Sequence, residues 1–278
     1  MIKIVVDSTA DMPPDIRDSY GITIVPVLVQ FGGEVLRDGV DISRDQFYAR
    51  LVASAEVPKT AAPSVGMFEE IFRALVADGS AVLSISLASK LSATFAAAQQ
   101  AARLVAGARI VCFDSRTISM PMTYLAMAAA RAAQQGMALD AIVAMLEALR
   151  PRMVLYVALD TLRYLEKGGR IGRVRALLGT MLNVKPILEL RDGEVHPVEQ
   201  VRTWRRVPDR LIELMQARGA FDEVSALYTT DRESAERLAD RAAAAGLAAR
   251  ERMRVVQTGA VIGTHVGPGA VAIAGMLK

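Results

Sequence analysis

Histidine and cysteine, the side chains readiest for acid–base or nucleophilic chemistry near neutral pH, are scarce in this 278-residue chain: two histidines and one cysteine. Neither His196 nor His265 has cysteine or carboxylate neighbours at metal-ligand spacing. No P-loop and no Gly-x-Ser-x-Gly elbow occurs. Gly168-Gly-Arg-Ile-Gly172 lacks the dinucleotide spacing and follows a helical pattern instead of a strand. Hydroxyls are plentiful instead. Asp7, Ser8, Thr9, Thr60, Ser64, Ser86, Ser89, Ser92, Thr94, Ser115 and Ser119 fall at or just beyond the C-terminal ends of predicted strands, where open α/β sheets bind ligands. Such a set holds an anionic head group through neutral donors. A hydrolase or transferase would need a base beside its nucleophile, and His265 alone is on offer, in a loop with Gly263, Gly267, Pro268 and Gly269. His196 alternates with apolar residues in a predicted hairpin and reads as structural.

The elements that must position these groups centre on residues 81–103. A short apolar run, 81–86, reads as a buried strand; a hydroxyl-dense loop follows; an alanine-rich helix capped by Ser92 or Thr94 closes the unit. The helix start offers unpaired N–H donors and the positive end of the dipole, which suits an anion. Upstream, strands are expected at 2–6 and 22–29, the second carrying Pro26 as a sign of an edge or bulge. Helices are expected from Pro13-Pro14 to about Tyr20, from the Ser43–Gln46 capping box to about Ala53, and from Ser64 to about Ala77. Residues 58–64 read as a proline-bracketed loop. Strand 109–113 and helices 119–135 and 139–149 complete an alternation that implies a parallel sheet with helices on both faces.

Arg150-Pro151 marks the expected boundary between an N-terminal three-layer α/β domain, 1–150, and a C-terminal α+β domain with a largely antiparallel sheet, 151–278. The second half shows strands at 153–158, 185–190, 194–198, 223–228, 253–258 and 270–274, with Asp192-Gly193 as a hairpin turn. Helices are expected after Asp160, over 173–182, over 204–217 and after a Thr230–Glu233 capping box.

Hydrophobic residues make up 52% and charged residues 23% of the chain, as in a soluble globular protein with ample core. The apolar region 123–150 is interrupted by Arg131, Gln134, Gln135, Gly136 and Asp140, so it reads as two core helices and no transmembrane segment. A strand at the N-terminus leaves no signal peptide, and Cys112 has no partner for a disulfide; a cytoplasmic location is expected. A net charge of +3 with no basic tail or reading motif disfavours nucleic acid.

A set of motifs then carries a resemblance. Asp7-Ser-Thr-Ala-Asp-Met-Pro13, Thr60-Ala-Ala-Pro-Ser64, Ile85-Ser-Leu-Ala-Ser-Lys-Leu-Ser-Ala-Thr94, Asp114-Ser115, Leu165-Glu-Lys-Gly-Gly-Arg-Ile171, Val184-Lys-Pro-Ile-Leu188, Val201-Arg-Thr203 and His265-Val-Gly-Pro-Gly269 together resemble the DegV family of bacterial fatty-acid-binding proteins. The resemblance spans nearly the whole chain. It implies a non-enzymatic α/β protein that buries one long-chain fatty acid between two domains, without a cofactor. It also implies that a separate fatty acid kinase receives the carboxylate and makes an acyl phosphate for phospholipid synthesis. Thr60, Ser92 and His265 would hold the carboxylate, helped by the Ala93 and Thr94 amides. Arg170, Arg173 and Arg202 would dock the kinase or steady the acyl phosphate. Ala61, Ala93, Met120, Pro121 and Met122 depart from the family pattern, and the last three are expected to line the acyl tunnel. The competing reading is an enzyme acting on a small phosphorylated or carboxylated metabolite in the interdomain cleft.

Overall fold

The computed structural model describes residues 1–180 and 184–278. Strand β1 (Ile2–Asp7) buries its last four residues and leads through a short 3-10 turn into α1 (Pro14–Tyr20). Pro14 opens that helix where a missing N–H costs nothing. The single strand expected at 22–29 is two, β2 (Thr23–Val25) and β3 (Leu28–Phe31), which join different sheets. Pro26 separates them because it cannot donate to a ladder. β3 pairs with β4 (Glu34–Arg37), and after α2 (Arg44–Ala53) the chain returns as β5 (Lys59–Ala61) on the other side of β3. Thr60 therefore sits on an edge strand and not in a loop. The capping box of α2 is formed as expected: Ser43 Oγ accepts from the Gln46 amide at 3.2 Å and Gln46 Oε1 from the Ser43 amide at 2.9 Å.

α3 (Val65–Val76), capped by Ser64, precedes β6 (Ala81–Ser86), α4 (Thr94–Leu104), β7 (Ile110–Asp114), α5 (Ser119–Gln134) and α6 (Leu139–Leu149). β2, β1, β6 and β7 form a parallel sheet in that order. Phe68 and Phe72 of α3, with Ala98 and Ala101 of α4, pack on one face; α1, α5 and α6 cover the other.

The rest of the chain comprises β8 (Met153–Ala158), α7 (Arg163–Lys167), a 3-10 stretch Gly172–Thr180, β9 (Lys185–Arg191), β10 (Glu194–Val201), α8 (Val207–Gln216), β11 (Phe221–Tyr228), α9 (Arg232–Ala244), β12 (Arg254–Gln257), α10 (Ala260–Val266) and β13 (Val271–Leu277). Six of these strands make one sheet in the order β10-β9-β8-β13-β11-β12, antiparallel except for the β11–β12 pair. The fold class is thus the expected one, with the small antiparallel sheet β4-β3-β5 added.

Local readings of the second half need four corrections. Asp160 does not cap α7; it binds Lys185 and the Trp204 indole, and Thr161 Oγ1 accepts from the Arg163 amide at 3.2 Å. The stretch expected as helix over 173–182 is 3-10 up to Thr180, and 181–182 lie outside the described residues. Asp231, one residue later than expected, caps α9 by accepting from the Ser234 amide at 3.0 Å. His265 lies in the last turn of α10 and not in a loop.

α5 explains the apolar stretch that begins at Thr123. It packs on β1 and β6 of the parallel sheet and on β8 and β13 of the larger sheet, so it is buried nearly all round. Tyr124 Oη donates to Ser225 Oγ at 2.7 Å across this contact. Ile4, Val6 and Leu83 from one side and Leu155, Leu227 and Ala272 from the other belong to the same apolar cluster. Among the described residues no helix is long and apolar enough to cross a membrane.

Candidate functional site

Four elements deliver polar groups to one place. β5 brings Thr60, the loop after β6 brings Ser92, α10 brings His265, and the turn after α7 brings Arg170; all four border a single cavity. Thr60 Oγ1 stands 3.0 Å from His265 Nε2. Arg170 is held at the rim by its own hydrogen bonds, Nε to the Leu91 carbonyl at 3.2 Å and Nη1 to the Gly168 carbonyl at 2.7 Å. Burial, and secondarily the Arg170 charge, push the His265 imidazole down to about 4, so the ring is neutral at pH 7. Its Nδ1 is buried and has no hydrogen-bond partner among the described residues. Gly168 is packed so closely beneath the ring that a Cβ there would lie 2.2 Å from Nδ1.

Ser92 Oγ lies 2.9 Å from Thr94 Oγ1 and accepts from the Thr94 amide at 3.2 Å. The expected helix-start donors are therefore placed differently. The Thr94 amide is already engaged, Thr94 is buried away from the cavity wall, and Ala93, the residue at the N-cap position, is exposed. Ser92 keeps its place on the wall.

Away from these groups the cavity is walled by Leu87, Leu91, Leu155, Leu159, Leu188, Leu190 and Ile262, and it encloses about 860 Å³ of atom-free space, partly open to solvent. Two further polar residues on the wall are spoken for: Thr9 Oγ1 donates to Asp7, and Glu189 is paired with Arg218 at 2.8 Å. A second, largely apolar chamber shares Leu155, Val157, Ile118, Ile262 and Val266 and is also bordered by Ser119, Tyr228, Thr229 and Thr258. On the other side, Leu91, Ser92, Arg170 and Val195 also border a surface vestibule carrying Lys90, Arg173 and Glu194. The order is therefore basic vestibule, polar head site, largely apolar chamber.

Arg173 faces the vestibule, 3.4 Å from Glu194, whose carboxyl Lys90 and then Arg173 hold below its ordinary range. Arg202 lies exposed after β10 and borders none of these spaces. Met120, Pro121 and Met122, expected along a tunnel, are buried but border neither chamber. The first turn of α5 directs both methionines into the cluster against the parallel sheet, and Ile118 and Ser119 make the wall instead. The apolar wall residues were missed, although Leu155-Val157-Leu159 and Leu188-Leu190 show the period-two spacing of a single sheet face.

The comparisons with known proteins match over the full chain or nearly all of it. The family model described as "Uncharacterised protein, DegV family" matches residues 1–278. A DegV domain-containing protein of Caldanaerobacter subterraneus is 35% identical over 275 residues, 98% of this chain and 97% of the relative. Among solved structures, a DegV family protein from Thermus thermophilus, described by its fatty acid binding, superposes with a TM-score of 0.91 at 32% identity, covering 99% of each chain. A stearic-acid-binding protein from Eubacterium ventriosum gives 0.92 at 28% identity, covering 100% of this chain and 99% of that one. The chain belongs to the DegV family.

Proposed function

We propose that this protein binds one long-chain fatty acid and presents its carboxylate to a separate fatty acid kinase, which makes the acyl phosphate. The observation that carries the reading is an apolar double chamber whose free polar groups gather at the end nearest a basic vestibule. A buried carboxylate without donors would cost several kcal/mol, on the order of what fixing the ligand costs. Ser92 has a hydroxyl to donate, the Thr60–His265 pair shares one proton in its mutual hydrogen bond and keeps a second for the ligand, and Arg170 adds a positive charge at the rim. The acid lies between the parts of the chain formed by 1–150 and 151–278. The protein acts as a carrier: its one histidine at the site is neutral and set against Thr60, and among the described residues no carboxylate pairs with it to make it a base. Lys90 and Arg173 in the vestibule suit incoming phosphate, and Arg202 supplies a docking contact outside it.

Labelled palmitate with ATP and a fatty acid kinase tests this in three arms. The loaded protein with ATP alone should form no acyl phosphate, and kinase should produce it. Arg173→Glu should lower that rate about tenfold or more while palmitate affinity stays within about twofold, as expected for a charge acting on phosphate and not on the tail. Acyl phosphate formed without kinase would overturn the carrier reading. Loss of palmitate binding in Arg173→Glu would place that side chain in the head site.

A further inference from the structure

α10 is a poor helix by its own sequence. It has seven residues, a glycine in the middle at Gly263, and β-branched Val261, Ile262, Thr264 and Val266. It nevertheless carries His265, about 8 Å along the axis from its first residue. What holds it comes from the far end of the chain. Asp11 Oδ1 accepts from the Gly259 amide at 2.6 Å, and Asp38 Oδ1 from the Ala260 amide at 3.1 Å. Both carboxylates are buried and tied back: Asp11 Oδ2 accepts from Ser119 Oγ at 2.5 Å, and Asp38 Oδ2 from Ser8 Oγ at 2.9 Å. The backbone at 259 is pressed against the pair, for a Cβ on Gly259 would lie 3.0 Å from Asp38 Oδ2 and 3.2 Å from Asp11 Oδ1. Further along, a Cβ on Gly263 would lie 2.6 Å from Tyr48 Oη and 2.7 Å from the Phe47 ring, and Tyr48 Oη is 2.7 Å from Thr258 Oγ1.

Two carboxylates in the interior carry a desolvation cost; burial pushes Asp11 up to about 6 and raises Asp38 as well, with Arg44 offsetting part of it. Asp7 and Arg44 are ionisable neighbours of this cluster, and Arg170 faces His265.

We propose that Asp11 and Asp38 are positioning residues: together they clamp the N-terminal end of α10 and so fix where His265 stands against Thr60. Its consequence for the ligand rests on the head-site reading above; the clamp itself does not.

The chain's two histidines make the test direct, because ring resonances can be followed by NMR, with His196→Ala to assign them. In the parent protein His265 should titrate near 4. Asp11→Ala and Asp38→Ala should each raise that midpoint by about one unit or more towards 6.5, since a loosened helix lets the ring meet water. Asn at either position keeps an acceptor for the amide and should restore the parent midpoint. Palmitate affinity should fall about tenfold in the Ala variants and recover in the Asn variants. Should the Ala variants fail to fold, Ser119→Ala and Ser8→Ala remove one tie each while leaving both acceptors, and a shift of about half a unit is expected. An unmoved His265 midpoint in folded variants overturns the clamp. A moved midpoint with unchanged palmitate affinity upholds the clamp and overturns His265 as a head-group ligand.

Discussion

Shortening the fatty acid from sixteen to ten carbons is expected to weaken binding by about three orders of magnitude, because each buried methylene contributes about 0.8 kcal/mol. Where the tail would run the wall is largely leucine, isoleucine and valine, and the Ser119, Thr229 and Thr258 hydroxyls at the second chamber are already bonded to Asp11, the Ala270 carbonyl and Tyr48, so the tail finds burial more than polar partners. Affinity should rise steeply along a series of saturated acids and level off once the end at Tyr228, Thr229 and Thr258 is reached. Val157 borders both chambers, and Val157→Phe should bring the levelling-off to shorter acids. Calorimetric or displacement titrations across the series read this out. A flat series would mean that the head site, and not the chambers, supplies the affinity.

The second large effect comes from one added methyl group. Gly168→Ala places a Cβ 2.2 Å from His265 Nδ1 and 3.0 Å from the Tyr164 carbonyl oxygen. The imidazole must leave its contact with Thr60, since the neighbouring atoms leave the new methyl nowhere else to go. One hydrogen bond to a charged acceptor is worth about 1.5–3 kcal/mol, so palmitate affinity should drop on the order of tenfold to a hundredfold. His265→Ala should lose about as much. Both variants should still carry lipid on purification, since the tail site is intact, and both should be phosphorylated poorly. Parent-like affinity in a folded Gly168→Ala protein would show that the ring's placement does not matter to the ligand.

The elements that could be read from sequence are those whose signals are local. The Ser43 capping box, Ser64 ahead of α3 and the Asp192-Gly193 turn between β9 and β10 all depend on residues within a few positions of one another; the β6-to-α4 passage stands where expected, but Ala93, and neither Ser92 nor Thr94, occupies the N-cap, with no side-chain cap. α10 was not legible, because the groups that satisfy its first amides, Asp11 and Asp38, come from more than 200 positions earlier. The lining role expected of Met120, Pro121 and Met122 fails for a related reason. α5 is apolar on nearly every side because it lies between two sheets, so its sequence carries no periodicity to say which side faces the ligand. Thr60 and His265 were found by residue type and by resemblance, and the structure sets them 3.0 Å apart from opposite ends of the chain. Arg170 was grouped with Arg173 and Arg202 as one basic set. The turn after α7 gives it a separate place, at the rim of the head site. Of the departures from the family pattern, Ala61 borders the cavity, whereas exposed Ala93 does not.

Native mass spectrometry of the protein as purified tests the central claim most directly. The expected spectrum shows one long-chain fatty acid per chain, retained in His265→Ala and replaced by shorter acids in Val157→Phe. A protein that carries no acid even after incubation with palmitate, or that instead retains a small polar metabolite, would contradict the account.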